Sequence, residues 1–315
     1  MNNDLTDVGT ETGYAFGEIN LKPLAVFPVL DGLAVSGGGR YDKNSRFGEI
    51  FNPHAGFAWT LGPMALKGSV GTAFRAPSLN DLYWPAGGGM AGNSGLKPER
   101  GRSAEAGIEA QAGGITTRAG LFWREIKDQI DWAPDADGVW RPSNTTKVVT
   151  RGVEAQAGYH WNWLALSANV TGLDAVQHTT ESVQLDSATY LPVVTEERFR
   201  RAAFVPRVMA GGMARVTAPW GTTLALNGRY SGDRRMYKPD SMTSFPNVFY
   251  REKRLPPFSV FGLRFSHDVG GKAQIYAGVD NLMDMHYAEQ FGNDMDDHNY
   301  PMPGRTWYAG VDARW

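Results

Sequence analysis

Gly271-Lys272-Ala273-Gln274-Ile275-Tyr276-Ala277-Gly278-Val279-Asp280-Asn281-Leu282 forms one alternating run, and Gly304-Arg305-Thr306-Trp307-Tyr308-Ala309-Gly310-Val311-Asp312-Ala313-Arg314-Trp315 forms a second. Ala273, Ile275, Ala277 and Val279 share one face; Lys272, Gln274, Tyr276 and Asp280 share the other. In the second run Trp307, Ala309, Val311, Ala313 and Trp315 stand opposite Thr306, Tyr308, Asp312 and Arg314. A period of two is the period of a β-strand. Trp315 ends the sequence in phase with the apolar face, whereas termini ordinarily fray into water. The expectation is that this face meets lipid.

Working outward, the same alternation recurs. Met64, Leu66, Val70 and Phe74 oppose Lys67, Ser69 and Arg75; Ile115, Ala119, Leu121 and Trp123 oppose Thr116, Arg118 and Arg124. Val153, Ala155, Ala157 and Tyr159 oppose Glu154 and Gln156, and Phe261, Leu263 and Phe265 oppose Arg264, Ser266 and Asp268. Residues 12–22 are mixed, with Tyr14 and Phe16 on one face and Ile19 and Leu21 on the other. That switch predicts a bulge. In all, about thirteen strands follow, and no stretch sustains a helical period.

Short turns, such as Leu61-Gly62-Pro63, Ala112-Gly113-Gly114 and Val269-Gly270-Gly271, alternate with long loops at 76–102, 128–145, 175–199, 233–255 and 283–303. That is an antiparallel up-and-down sheet with its tight turns at one end, the pattern of an outer-membrane barrel. If the last strand ends on the periplasmic side, Trp59, Tyr159, Trp161, Trp163, Trp220 and Trp315 gather at the inner interface. Phe74, Tyr83, Trp84, Trp123, Trp132, Tyr230 and Tyr287 gather at the outer one. Two aromatic bands are what headgroup anchoring predicts.

Composition fits this reading. There is no Cys, which excludes disulfides, thiolate metal sites and Cys nucleophiles. A net charge of −2 offers no field for nucleic acid. No run of ~18 apolar residues suggests a spanning helix. A mean hydropathy of −0.36 is compatible with strands that cross a membrane by alternation. The polar start Met1-Asn2-Asn3-Asp4 does not read as a signal peptide.

Gly71-Thr72-Ala73-Phe74-Arg75-Ala76-Pro77-Ser78-Leu79-Asn80-Asp81-Leu82-Tyr83, Gly92-Asn93-Ser94-Gly95-Leu96-Lys97-Pro98-Glu99, Arg151-Gly152-Val153-Glu154, Val205-Pro206-Arg207, Asp280-Asn281-Leu282-Met283-Asp284 and Pro303-Gly304-Arg305-Thr306-Trp307 occur in this order. On these motifs the chain resembles the TonB-dependent outer-membrane receptors over nearly its whole length. The resemblance implies a barrel of about 22 strands with a plugged lumen. About thirteen are expected here: 1–11 as leading residues, and 12–315 as the C-terminal part of the barrel, without the plug. At about 24 residues per strand, 22 strands would need about 530 residues. Arg75, Glu99, Arg151, Glu154 and Arg305 are expected to form ion pairs on the lumen side.

The resemblance further implies an outer-membrane location and TonB-energised uptake of a large, scarce nutrient such as cobalamin, a ferric siderophore or haem. Its partners would be lipid, the TonB system through the missing plug, the barrel-assembly machinery and a small-molecule or metal-chelate ligand. Trp315 would be the assembly signal. The loop residues Trp84, Trp132, Trp140 and Tyr250 are the candidate ligand contacts. The passages around Asp81-Leu82-Tyr83-Trp84-Pro85 and Arg141-Pro142-Ser143-Asn144 look most like cobalamin-receptor members. A passive porin and a soluble all-β carbohydrate-active enzyme are the alternatives.

Other chemistry finds little footing. Gly87-Gly88-Gly89-Met90-Ala91-Gly92 has dinucleotide-type glycine spacing but no strand before it or helix after it. His286, Glu289, Asp294, Asp296, Asp297 and His298 form the best metal-like group, read first as a solvated acidic loop. Its oxygen-rich set, chiefly Asp294, Asp296 and Asp297, suits Ca²⁺ better than zinc. No catalytic constellation and no cofactor are expected.

Overall fold

The computed structural model describes residues 11–22, 30–134, 139–186, 192–240, 249–291 and 299–313. Its strands are β1 (Thr12–Leu21), β2 (Leu33–Asn44), β3 (Gly48–Leu61), β4 (Met64–Arg75), β5 (Glu99–Ala112), β6 (Ile115–Pro134), β7 (Trp140–Trp161), β8 (Leu164–Leu185) and β9 (Pro192–Arg201). There follow β10 (Val208–Thr217), β11 (Thr222–Ser231), β12 (Arg234–Asp240), β13 (Phe249–Leu255), β14 (Phe258–Val269), β15 (Ala273–Asp280), β16 (Ala288–Phe291), β17 (Asn299–Pro301) and β18 (Thr306–Ala313). One five-residue helix, α1 (Leu79–Tyr83), lies between β4 and β5. The main sheet has 14 strands: β9 pairs only with β8, and the other thirteen follow one another from β1 to β18. Among the described residues β1 and β18 are its two ends, so the sheet is unclosed.

Antiparallel partners share a face, so the register traces that face round the sheet. Val35 pairs with Phe57, Phe57 with Gly68, Gly68 with Ala106, Ala106 with Leu121, Leu121 with Val153 and Val153 with Gly172. Farther on, Leu166 pairs with Ala214, Ala214 with Leu226, Leu226 with Leu263, Leu263 with Val279 and Val279 with Trp307. Below the level of Arg102, Glu125, Arg151 and Asp174, this face carries no Lys, Arg, Asp or Glu on any of these strands. Its one imidazole, His267, has Nδ1 2.9 Å from Thr222 Oγ1. The opposite face is charged and cross-linked. Lys67 Nζ lies 2.7 Å from Glu109, Arg118 3.2 Å from the same carboxylate, and Arg124 2.9 Å from Glu105. A continuous uncharged face too large for a water-soluble surface, on strands laddered to their neighbours, is the face of a sheet that stands in lipid.

The aromatic bands are partly as expected. Trp161, Trp163 and Trp220 are exposed near the tight turns, with Tyr159 and Trp161 rings 6.4 Å apart. Trp123 and Tyr230 stand on the apolar face toward the other end. Tyr83, Trp84, Trp132 and Tyr287 leave that band: Tyr83 and Trp84 belong to a folded loop, Trp132 meets Trp84 from β6, and Tyr287 packs on Phe258 at 4.3 Å. Trp315 lies outside the described residues.

Three expectations are corrected. β1 pairs with β2 without a register shift, so it has no bulge. Tyr14 and Phe16 therefore share the polar face with Glu18 and Asn20, and Arg40 lies 4.6 Å over the Tyr14 ring. Arg151 stands on the apolar face's side, where it meets Asp174 at 3.5 Å, because its parity is that of Val153. The loops 128–145 and 175–199 are hairpins instead, since β6, β7 and β8 run on for 20, 22 and 22 residues. Backbone groups beyond the lipid still gain from pairing.

From β10 onward the strands break before continuing. Residues 202–207, 232–233, 256–257, 281–287 and 302–305 separate β10, β11, β14, β15 and β18 from β9 and from the small hairpins β12–β13 and β16–β17. Proline occupies several of these gaps, at Pro206, Pro256, Pro257 and Pro303, where a missing donor interrupts the ladder without harm. Asn281 is buried and has φ of 50°. Its side chain donates to Met285 O (2.9 Å) and Pro303 O (3.2 Å) and accepts from Met285 N (2.8 Å). The broken backbone is thus satisfied by an amide. Arg305 serves the same gap, with Nε donating to Leu282 O at 3.1 Å, and is no lumen ion pair.

Parity sets the cost of a charge. Leu226→Arg, midway along the apolar face, should lose about 2–4 kcal/mol in lipid vesicles. Asn227→Arg, one residue on and facing the other way, should lose little. Urea unfolding followed by tryptophan emission measures both; equal losses would contradict the assigned faces.

Candidate functional site

Residues 76–98, between β4 and β5, fold back over the β6–β7 hairpin. Ser78 starts it as a helix cap. Its hydroxyl accepts from Asp81 N (3.1 Å), while Asp81 Oδ2 accepts from Ser78 N (3.0 Å), a reciprocal capping box. α1 then turns Leu82 inward against Leu96 and Ile130, with Tyr83 beside them. That small apolar cluster holds the loop to the hairpin.

Polar ties surround it. Trp132 Nε1 donates to Asp81 Oδ1 at 3.1 Å. Arg75 Nε donates to Glu99 Oε2 at 2.8 Å, and Glu99 Oε1 accepts from Ile130 N at 2.9 Å. Arg75 and Glu99, both expected in ion pairs, are thus each other's partners. Asn144 imitates a strand: it accepts from Lys97 N (2.8 Å) and donates to Lys97 O (2.9 Å) and Asp128 O (2.7 Å). Asn93 donates to Pro142 O at 3.0 Å. Asn93 and Asn144 had no recognisable signal as cross-links, because their partners are backbone groups about fifty residues away.

The glycine run is a turn. Gly87 and Met90 exchange backbone hydrogen bonds of 3.0 Å, with φ of 58° at Gly88 and 77° at Gly89. Positive φ at both central residues is the two-residue hairpin turn that glycine permits. Trp140 N then donates to Gly89 O (2.8 Å), and Ala91 N to Trp140 O (3.0 Å). At Gly92 a Cβ would stand 2.5 Å from Trp84 N, so only glycine lets the loop close.

Three of the four expected contact residues therefore belong to one body. Trp84 and Trp132 meet edge to face at 6.2 Å, and Trp140 is tied in through its backbone. Trp84 and Trp140 remain 42% and 49% exposed, enough ring surface to meet a ligand. Tyr250 is not brought to them; it pairs with Pro239 in the β12–β13 hairpin. Asp294, Asp296, Asp297 and His298 lie outside the described residues. Glu289, expected in the same group, is engaged by Arg229 at 2.7 Å. Among the described residues no three His, Asp or Glu side chains converge as metal ligands.

A second cluster, missed from sequence, lines the polar face where β11 and β14 reach the breaks. Arg229 donates to Tyr287 Oη at 2.8 Å and lies 5.2 Å over the Phe258 ring; Arg234 lies 5.0 Å over the same ring. Arg234 is buried and donates to Glu289 O (3.0 Å) and Ala288 O (3.3 Å), joining the β12–β13 and β16–β17 hairpins. Its residues are spread over sixty positions, and only the barrel register assembles them.

Asp81 makes loop docking depend on pH. Burial acts to raise its pKa, but the Ser78 hydroxyl and amide, the Trp132 indole and the Arg75 charge outweigh it and hold the carboxyl below its ordinary range. A depressed folded pKa contributes stability above the unfolded value of ~4, and that contribution is lost as pH falls through the folded value. Hydrogen exchange at Leu82 and Ile130 should therefore accelerate below about pH 4. Asp81→Ala should remove the cap and the Trp132 bond together, costing about 1–2 kcal/mol of loop stability, and abolish that pH dependence. An unchanged exchange profile in the variant would contradict this assignment.

The family description "TonB dependent receptor-like, beta-barrel" matches residues 2–282. The vitamin B12 transporter BtuB of Vibrio vulnificus (strain YJ016) is 26% identical over 251 residues, 78% of this chain and 34% of the relative. The ferrienterobactin receptor of Escherichia coli (strain K12) is 24% identical, over 95% of this chain and 42% of the relative. Among solved structures, a mutant ferric enterobactin receptor PfeA from Pseudomonas aeruginosa, in complex with enterobactin, matches with TM-score 0.73 at 22% identity, over 96% of this chain and 45% of that one. The FrpB iron transporter from Neisseria meningitidis matches with TM-score 0.71 at 18% identity and the same coverage. The chain spans less than half the length of these relatives, and the structural likeness is one of fold. With an antiparallel sheet in chain order, one uncharged face and a match over residues 2–282, the chain belongs to the TonB-dependent receptor β-barrel family.

Proposed function

We propose that this chain forms part of the wall and mouth of an outer-membrane receptor that takes up a large, scarce nutrient with energy from TonB. The observation that supports the reading is the α1 loop. It holds exposed Trp84 and Trp140, with Trp132 against Trp84, at the long-hairpin end of a lipid-facing sheet. Aromatic faces locked by a capping box and amide cross-links offer apolar contact at little cost in side-chain ordering. That suits a bulky ligand such as cobalamin, a ferric siderophore or haem. The relatives named as a vitamin B12 transporter and a ferrienterobactin receptor point to the same ligand classes. A plug supplied by the rest of a receptor would carry the TonB contact.

Calorimetric titration of the chain in detergent with cyanocobalamin, a ferric tricatecholate and haemin tests the ligand site. One of the three should bind saturably, and Trp84→Ala with Trp140→Ala should weaken it about tenfold. Binding of none of them, or binding indifferent to the double variant, would overturn the assignment. In cells, uptake by the receptor containing this segment should stop when TonB is deleted; uptake that continues would indicate passive diffusion.

A further inference from the structure

Two arginines on the lumen face stand without a counter-charge. Arg215 on β10 pairs with Ala225 on β11, and Ala225 with Arg264 on β14. The two therefore share one row of that face, two strand spacings or about 10 Å apart. Neither has an acidic partner among the described residues. Asp280, on the next strand, leans over Gly262 instead. The arc from β4 to β6 is different: Lys67 and Arg118 both engage Glu109, and Arg124 engages Glu105.

The arginine row continues through Gly278 on β15 to Tyr308 on β18. Arg264 lies 4.0 Å over the Tyr276 ring, and the Tyr276 and Tyr308 rings are 6.4 Å apart. Both rings lie flat along the wall, because a Cβ at Gly310 would collide with Tyr276 and one at Gly278 with Tyr308. The wall is thus low here, with two guanidiniums standing over it. Arg215 is two residues from Thr217, and Ala225 three from Thr222, at the tight-turn end of β10 and β11. That is the end opposite Trp84 and Trp140.

We propose that this row is a second ligand station, low in the lumen, for a multiply anionic, oxygen-rich chelate that has left the mouth. This rests on the transport reading above and narrows it: the cargo is an anion, which cyanocobalamin is not. Guanidinium forks match the paired oxygens of carboxylates and catecholates. Stacking on Tyr276 holds Arg264 in place before any ligand arrives, which lowers the cost of ordering it. The flat tyrosine rings leave room beside the cations and offer faces to the arms of a chelate.

Uptake and surface binding, measured separately in cells carrying the receptor that contains this segment, test the station. The probes are a ferric tricatecholate and cyanocobalamin. The ferric tricatecholate should be taken up. Arg215→Gln with Arg264→Gln should lower its uptake roughly tenfold while surface binding on ice stays unchanged. Arg215→Lys with Arg264→Lys, which keeps both charges, should retain most of the uptake. Lys67→Gln with Arg118→Gln, on the ion-paired arc, should not separate binding from uptake. Several results would overturn the station alone: uptake indifferent to the Gln pair, binding lost together with uptake, a Lys pair no better than the Gln pair, or the same separation from the ion-paired arc. So would leakage of a large antibiotic through the Gln pair, which would assign the arginines to holding a plug. TonB-dependent uptake of cyanocobalamin with none of the ferric chelate would also overturn it, and would leave the transport reading standing. Uptake of neither probe, or uptake that survives deletion of TonB, would overturn the transport reading and the station with it.

Discussion

Hydrocarbon cannot hydrogen-bond a peptide group, and every other feature of this chain follows from that constraint. Each strand crossing the band must pair its backbone with adjacent strands, which favours neighbours in sequence as neighbours in space. Continuous register from β2 to β18 is the result, with strand parity inherited from one strand to the next. Because partners share a face, a one-residue slip anywhere would carry charges such as Glu109, Arg118 and Glu154 into lipid. The absence of Lys, Arg, Asp and Glu from the apolar face is therefore a property of the whole sheet, enforced strand by strand.

Once the chain leaves the band the constraint lifts. Water can satisfy the backbone, so strands break at Pro206, Pro256-Pro257 and Pro303, and the chain turns out into small hairpins. Where a break is buried, a side-chain amide replaces the missing ladder, as Asn281 does between β15 and β18. β6, β7 and β8 instead continue paired, and their extension becomes the floor on which the 76–98 loop rests. The family-like motifs thus mark places where regular pairing stops and another donor or acceptor must take over.

The α1 loop is small in its apolar content, with Leu82, Leu96 and Ile130 at its centre, so its geometry is held by directed polar bonds. Asp81 serves a cap and an indole at once; Glu99 serves Arg75 and a backbone amide. Bonds with two customers make the loop cooperative: releasing one partner leaves the other's group unsatisfied. That arrangement keeps Trp84 and Trp132 in a fixed edge-to-face pair while leaving ring surface for contact.

By itself the sequence determined the all-β class, the up-and-down order, the position of the tight turns and the identity of the lipid face, because all of these are written in local period-two alternation and turn residues. The motif residues also identified the family, and marked Arg75 and Glu99 as ion-pairing residues without saying that they pair with each other. Only the tertiary structure decided which long loops are paired hairpins, that Tyr14 and Phe16 face the lumen, and that Arg151 stands outside with Asp174. It alone assembled Asn144 with Lys97, Trp132 with Asp81, and Arg229 and Arg234 with Phe258, Tyr287 and Glu289. Those contacts join residues far apart in the chain, through backbone atoms and register that no local pattern encodes. The C-terminal pair shows both parts. Alternation in Ala273–Asp280 and Thr306–Ala313 announced two strands with one apolar face. Their pairing, Ala273 with Ala313 through Asp280 with Thr306, and the amide that closes the gap above them appear only when the chain is folded.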